Sequence, residues 1–263
     1  MFTKVTGRIA ATRDALRVSP RQFAIGSPDG CLTAVHRLRE RFNRLRAEDS
    51  DTCIIKFDLR NAFNAVSRAA VSNALHGENL RQYWRLMYDG PSPLVVYGPN
   101  EVTTLQMAEG VRQGDSTSTL LFCLAVDTPL RNIIAAGVDA YMYCDDLTII
   151  SKHADVDAIT SLVKNEFSAC GLHVNEAKTG TWSGGREEPF VVLGVDLAET
   201  DAWAETVANR QDAYFDLLDT LHLHPHLKCI LLRLCGGMKL KYQCSAANAA
   251  LMTPIAKLSL IHI

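Results

Sequence analysis

Two short apolar stretches that end on aspartate constrain this chain more than any other feature. Thr52 to Leu59 alternates and is rich in isoleucine, which predicts a strand ending at Asp58. Asp139 to Ser151 carries Tyr141, Tyr143, Leu147, Ile149 and Ile150 around the pair Asp145-Asp146, which predicts a hairpin with both acids near its turn. Buried strands seldom hold acids, because an unpaired ionised carboxylate in a core is very costly. Adjacent carboxylates repel one another by roughly a few kcal/mol at intermediate dielectric, so a site that gathers three of them calls for a cation. Magnesium suits that need, since it takes a few carboxylates plus substrate phosphates rather than a full protein cage. Two such ions about 3.5–4 Å apart polarise the attacking and leaving oxygens of an in-line phosphoryl displacement. On spacing alone the Asp-Asp pair fits a solvated hairpin tip equally well.

The remaining pattern supplies helices to back those strands. Residues 1–17 read as a helix, broken by Pro20 and the Gly26-Ser27-Pro28-Asp29-Gly30 cluster. A second helix is predicted from about Cys31 to Ala47, where Leu32, Val35, Leu38, Phe42 and Leu45 recur every three or four residues and leave the arginines on the opposite face. Ser67 is a candidate cap for a helix from Arg68, and residues 93–98 and 102–107 read as a strand pair joined through Gly98-Pro99-Asn100. Thr117 to Ala136 reads as one long buried helix, followed after the hairpin by a helix over about 154–170 and strand candidates near 173–182 and 190–197. Beyond about residue 205 the pattern is helical. This order predicts an α+β fold, an antiparallel sheet backed by helices.

Composition narrows the class. Of 263 residues 48% are hydrophobic and 21% charged, with mean hydropathy +0.01, which excludes a disordered tail, a collagen-like repeat or a coiled coil. The formal charge of -2 conceals an asymmetry: residues 1–50 hold ten Lys/Arg against five acids, and the remainder 17 against 24. A basic first segment on an acidic body follows, its arginines either a solvated face or a phosphate-tracking surface. The eight cysteines form no CxxC, which fits a reduced intracellular compartment, nucleus or cytoplasm. The longest unbroken apolar run, Leu120 to Val126, is short for a membrane span, and no membrane partner is expected. His222, His224, His226 and Cys229 lie around Pro225 with no second ligand pair at a zinc-finger interval, so a helix-joining loop is expected there. The Gly26 to Gly30 turn lacks the Gly-Lys-Ser/Thr ending of a phosphate loop.

In chain order stand Ile55-Lys56-Phe57-Asp58-Leu59-Arg60-Asn61-Ala62-Phe63-Asn64, Gly110-Val111-Arg112-Gln113-Gly114-Asp115, Tyr143-Cys144-Asp145-Asp146, Gly171-Leu172-His173-Val174-Asn175-Glu176-Ala177-Lys178 and Leu193-Gly194-Val195. This ordered set resembles the reverse transcriptase family, RNA-directed DNA polymerases, and most resembles the enzymes of non-LTR retrotransposons. The segment Gln22 to Gly30 and the basic helix after it are similar to the stretch such proteins carry before the first catalytic aspartate. The resemblance runs from about residue 20 to 200, and Leu231 to Gly237 loosely resembles the helical thumb. It implies partial fingers with basic helices over 1–50, a palm with the catalytic aspartates over 51–200 and a partial helical thumb over 201–263. Fingers strands are expected ahead of residue 1, so the chain reads as an incomplete frame with the palm intact.

Carried over residue by residue, the resemblance implies that Asp58, Asp145 and Asp146 hold two magnesium ions, or manganese, with the Leu59 carbonyl as a further ligand. Phe63 matches the aromatic beneath the incoming sugar, which excludes a 2′-hydroxyl and selects deoxynucleotides; a core phenylalanine at a helix start is the alternative. Gln113 and Gly114 match the loop bordering nucleotide and template. Lys178 corresponds to a lysine that meets pyrophosphate, or is a surface lysine, and Lys56 and Arg60 are further phosphate candidates. Ser116 and Thr117 stand where the family usually has Pro, and Cys144 fills the variable position of Tyr-x-Asp-Asp. The implied partners are an RNA template, a DNA primer and deoxynucleoside triphosphates. The competing reading is a catalytically inactive retroelement remnant that binds RNA through the basic segment, and Phe63 argues against an RNA-dependent RNA polymerase.

Overall fold

The computed structural model describes residues 17–99, 101–232, 234 and 237–261. The helix expected over residues 1–17 therefore lies, Arg17 apart, outside the described residues, as do Asn100 of the strand-pair turn and Arg233, Cys235 and Gly236 of the thumb-like segment. Helix α1 (Gly30–Glu48) leads into strand β1 (Thr52–Phe57). Val35, Leu38 and Phe42 are buried and Leu32 and Leu45 pack against the same cluster, so the three-and-four spacing forms one apolar face. Arg46 Nη1 donates to the Thr52 carbonyl at 2.7 Å and fixes the last turn of α1 to the start of β1.

After β1 come α2 (Ala62–Ala65), α3 (Arg68–Ala74), α4 (Glu78–Tyr88), the ribbon β2 (Ser92–Tyr97) and β3 (Val102–Met107), then α5 (Ser118–Ala125) and α6 (Asp127–Ala135). The hairpin β4 (Asp139–Tyr143) and β5 (Asp146–Lys152) follows, then α7 (Val156–Ser168), β6 (Gly180–Trp182), β7 (Val191–Val192) and β8 (Val195–Asp196). Helices α8 (Asp201–Thr220), α9 (Pro225–Leu231), α10 (Gly237–Ala246) and α11 (Ala249–Ile261) complete the order. The central sheet is antiparallel, in the order β4-β5-β1-β6.

Both faces of that sheet are covered. Cys53, Ile55 and Phe57 of β1 and Leu147 and Ile149 of β5 enter a core with helices α3 to α7, whereas Ile54 and Ile150 point to the cluster made with α1. Two covered faces explain why β1 reads as an almost continuous apolar run. Buried Trp203, Ala204, Val207, Leu240, Met252 and Ile255 join α8, α10 and α11 in a third cluster. Buried Asp196 organises the entry to α8: it accepts from the Phe190, Ala198 and Thr200 N–H groups and from the Thr200 hydroxyl. Thr200 Oγ1 in turn accepts from the Trp203 N–H as the cap of α8.

Local expectations fare unevenly. Ser67 caps α3 by accepting from the Ala70 N–H. The single helix expected over 117–136 is two, broken at Val126. Pro129 has no N–H for the carbonyl of Ala125 four residues back, and the Cys170 thiol takes that acceptor instead at 3.1 Å. By length and hydropathy Ser118–Ala135 could cross a membrane, yet 61% of it is buried inside the fold. The strand expected over 173–182 pairs at Val174, in a single bridge to Leu59, and at Gly180–Trp182, and is interrupted between them because Glu176–Lys178 turns back on itself with the Lys178 and Thr179 N–H groups bonded to the Asn175 carbonyl. Residues 190–197 make only the two short strands β7 and β8, with Leu193 and Gly194 at φ 49° and 79° between them. At the histidine cluster a helix starts earlier than expected: Pro225 sits in the first turn of α9 and His224 Nδ1 accepts from the His226 N–H.

The β2–β3 ribbon stands apart, with Leu94, Val95, Val96, Tyr97, Val102 and Leu105 all exposed. In urea denaturation, Ile55→Ala is expected to cost about 2–5 kcal/mol as a cavity in the main core. Leu94→Lys on the ribbon should change stability by less than about 0.5 kcal/mol.

Candidate active site

The three aspartates meet because of strand register. β1 and β5 pair antiparallel with Phe57 opposite Leu147, so one residue further Asp58 stands at the same sheet end as Asp146. β4 and β5 close with Tyr143 opposite Asp146, which leaves Cys144 and Asp145 as the two turn residues. Asp58 and Asp146 are each half-buried, as is Asp145. Burial raises the Asp145 carboxyl above the usual carboxylate range, and the negative charges of Asp146 and Asp58 add to this. Burial likewise raises Asp146; Lys56 opposes the rise and Asp58 adds to it. The hairpin tip is thus no freely solvated turn.

Asp58 is held by a segment to which the sequence reading gave no such role. The Asn175 N–H donates to the Asp58 carbonyl at 2.7 Å, and Asn175 Nδ2 donates to Asp58 Oδ2 at 3.0 Å. Lys178 Nζ lies 3.8 Å from the same Oδ2, with its side chain 68% exposed. Such an exposed ion pair adds little stability, which leaves the ammonium available to an anion. Leu59 is buried and bridges Val174; that bridge uses the Asp58 carbonyl and the Arg60 N–H, and among the described residues no bond occupies the Leu59 carbonyl. Lys56 Nζ donates to the Val191 carbonyl at 3.1 Å, while the Arg60 side chain is exposed.

Phe63 lies in α2, half-buried, its ring stacked on Phe122 of α5 with centroids 4.7 Å apart. Its carbonyl accepts from the Val111 N–H at 2.8 Å, so α2 and the Gln113-Gly114 loop move as one. Gln113 and Gly114 are exposed. Gly114 has φ +88° with open space where a Cβ would stand, so conformation rather than a close approach within the chain requires glycine. At Gly110 both apply: φ is +72° and a Cβ would lie 2.4 Å from the Asn64 carbonyl oxygen. Asp115 replaces the rigidity of the missing proline. Its carboxylate accepts from the Tyr83 and Tyr88 hydroxyls and from the N–H and hydroxyl of Thr117, and below it Arg112 Nη2 donates to the Met87 carbonyl and Ser92 Oγ. Burial pushes Tyr83 up to about 12, so it stays a donor.

The basic helix is less available than its charge implies. Arg39 donates to the Ala246 carbonyl, Arg41 pairs with Asp139 at 2.7 Å and Arg46 is tied to β1. Arg37 and Arg44 remain turned outward and, with Arg21, line a cleft of about 600 Å³ beside Asp139 and Tyr141.

Residues 3–197 match the family described as "Reverse transcriptase (RNA-dependent DNA polymerase)". The chain belongs to the reverse transcriptase family. Among this family member's relatives is the "Retrotransposable element SLACS 132 kDa protein" of Trypanosoma brucei gambiense, 30% identical over 189 residues, which cover 68% of this chain and 15% of that protein. Another is the "Retrovirus-related Pol polyprotein from type-1 retrotransposable element R2" of Nasonia vitripennis, 25% identical over 174 residues, 61% of this chain and 17% of that one. The chain thus spans less than a fifth of the length of either retrotransposon relative. Two telomerase structures from Candida tropicalis share the fold: the apo form (TM-score 0.57, 11% identity, 99% of this chain, 49% of the other) and a complex with the TWJ fragment of telomeric RNA (TM-score 0.53, 14%, 99%, 45%). The antiparallel sheet backed by helices is therefore the palm of a reverse transcriptase fold.

Because the raised Asp145 and Asp146 carboxyls are costly to the folded state when ionised, removing one charge relieves that cost. Asp146→Asn is expected to raise the metal-free thermal midpoint by roughly 1–3 °C. Calorimetry in chelator checks this, and a lowered midpoint would contradict it.

Proposed function

We propose that the chain is the catalytic palm, with adjoining fingers (1–50) and thumb (201–263) segments, of an RNA-directed DNA polymerase. On this reading it extends a DNA primer 3′-hydroxyl with deoxynucleoside triphosphates on an RNA template. The observation that carries it is the convergence of Asp58, Asp145 and Asp146 at one end of the sheet, two of them with raised carboxyls.

An all-oxygen donor set burdened by its own repulsion fits magnesium or manganese. Among the described residues no three His, Cys, Asp or Glu side chains stand at ligating positions. Two ions held by Asp58, Asp145 and Asp146, with the Leu59 carbonyl, would supply Lewis acidity at the primer hydroxyl and the α-phosphate.

The chain's own residues do the rest. Asn175 orients the Asp58 carboxylate through Oδ2. Lys178 offers a compact positive charge to the departing pyrophosphate. Phe63, braced by Phe122, sets a wall for the sugar, and Gln113 with Gly114 borders the base pair on a loop anchored by Asp115. Arg37 and Arg44 line a cleft suited to the RNA backbone, in which Arg21 and Arg41 are held by Asp139.

Primer extension on poly(rA)/oligo(dT) with magnesium tests the reading. Asp145→Asn should lower incorporation by at least about a hundredfold. No product from the purified chain, or an unaffected variant, would overturn it. Phe63→Ala should raise the ratio of ribonucleotide to deoxynucleotide use by about tenfold or more, a ratio that does not depend on the folded fraction. The Arg37 and Arg44 cleft also favours the second reading, an inactive RNA-binding remnant: salt-sensitive RNA binding with no incorporation would select it.

A further inference from the structure

We infer that Gln22 is a positioning residue for the Tyr143-Cys144-Asp145-Asp146 turn, acting on the aspartates through the backbone of Cys144; the inference rests on the catalytic reading of that turn. Gln22 is 2% exposed, so its amide must be paired within the fold. Its Oε1 accepts from the Cys144 N–H at 2.9 Å and its Nε2 donates to the Cys144 carbonyl at 3.2 Å. One side-chain amide thereby satisfies both main-chain groups of a single residue, as a peptide of an adjoining strand would.

Cys144 is the residue that needs such support. It is the first of the two turn residues between Tyr143 and Asp146, and its φ is +52°. Tight hairpin turns demand positive φ and normally supply glycine, asparagine or aspartate for it. A cysteine there carries the steric cost of its Cβ and persists only where the surroundings over-determine the conformation.

The clamp is itself anchored. The Met142 N–H donates to the Arg21 carbonyl at 2.9 Å and the Phe23 N–H to the Met142 carbonyl at 2.8 Å, so residues 21–23 bridge the edge of β4. Gln22 pairs in that bridge with Met142, and its side chain reaches two residues further along to Cys144. Phe23 stacks on Tyr141 and Arg21 pairs with Asp139, which fixes the segment on either side. The stretch ahead of α1 is in this way coupled to the acids at the far end of the hairpin.

The test uses the whole chain and three variants: Gln22→Met, which keeps the shape without the amide; Gln22→Glu, which keeps one acceptor but cannot donate; and Gln22→Met combined with Cys144→Gly. The first readout is amide hydrogen exchange over Tyr143 to Leu147, the second Mn2+ binding followed by electron paramagnetic resonance. Gln22→Met should speed exchange at the turn by about tenfold, with Gln22→Glu between it and the parent. It should weaken Mn2+ binding by about three- to tenfold. Glycine adopts positive φ unaided, so adding Cys144→Gly should recover most of the lost Mn2+ affinity, which a merely structural role for Gln22 would not predict, while the residue-144 amide, still without its acceptor, stays fast in exchange. Unchanged exchange at the turn in Gln22→Met, or no recovery of Mn2+ binding in the double variant, overturns the inference. Failure of the catalytic reading looks different: the parent chain incorporates no nucleotide while the exchange difference persists.

Discussion

The antiparallel pairing of β1 with β5 is the contact on which the rest depends. Side chains on a strand alternate with a period of two, so a slip of one residue would move Asp58 to the other face and exchange Ile54 for Ile55 between two different cores. Both cores resist that slip, because each accepts its own set of β1 side chains. The same register that packs the protein therefore brings its carboxylates together.

Stability and chemistry pull against each other at that sheet end. Two of the three acids are raised by burial and by mutual repulsion, which makes the turn a locally unfavourable arrangement that the surrounding fold sustains. The supports are polar and come from distant segments: Asn175 on Asp58, Gln22 on Cys144, Asp115 beneath the Gln113-Gly114 loop. None of them belongs to the aspartate trio, and each holds a backbone or carboxylate of the trio or of its neighbouring loop.

Much of the scaffold was legible in the residues. The period of α1, the isoleucine-rich strand β1, the β4–β5 hairpin, the Ser67 cap and the strand pair over 93–98 and 102–107 all follow from local pattern. The break at Val126 escaped because a run of buried apolar residues reads as one helix, although Pro129, which has no N–H for the Ala125 carbonyl, already marked it; only the Cys170 thiol on that carbonyl needed the structure. The strand expected over 173–182 is interrupted at the Glu176–Lys178 turn, and the pairing of its first residues with Asp58 to Arg60 is a contact across more than a hundred residues.

The sequence by itself determined the family, since ordered motifs are a property of the chain and need no coordinates. It also determined that a basic first segment precedes an acidic body. Which arginines are tied to polar groups was decided only by tertiary structure: Arg39, Arg41 and Arg46 are consumed by carbonyls and by Asp139, whereas exposed Arg37 lies over the Phe23 ring and exposed Arg44 lines the cleft. So was the role of Gln22, one glutamine in a turn-rich segment until the fold lays it beside Cys144. Hydrogen bonds between residues far apart in the chain leave no periodic trace, and those are what position this site.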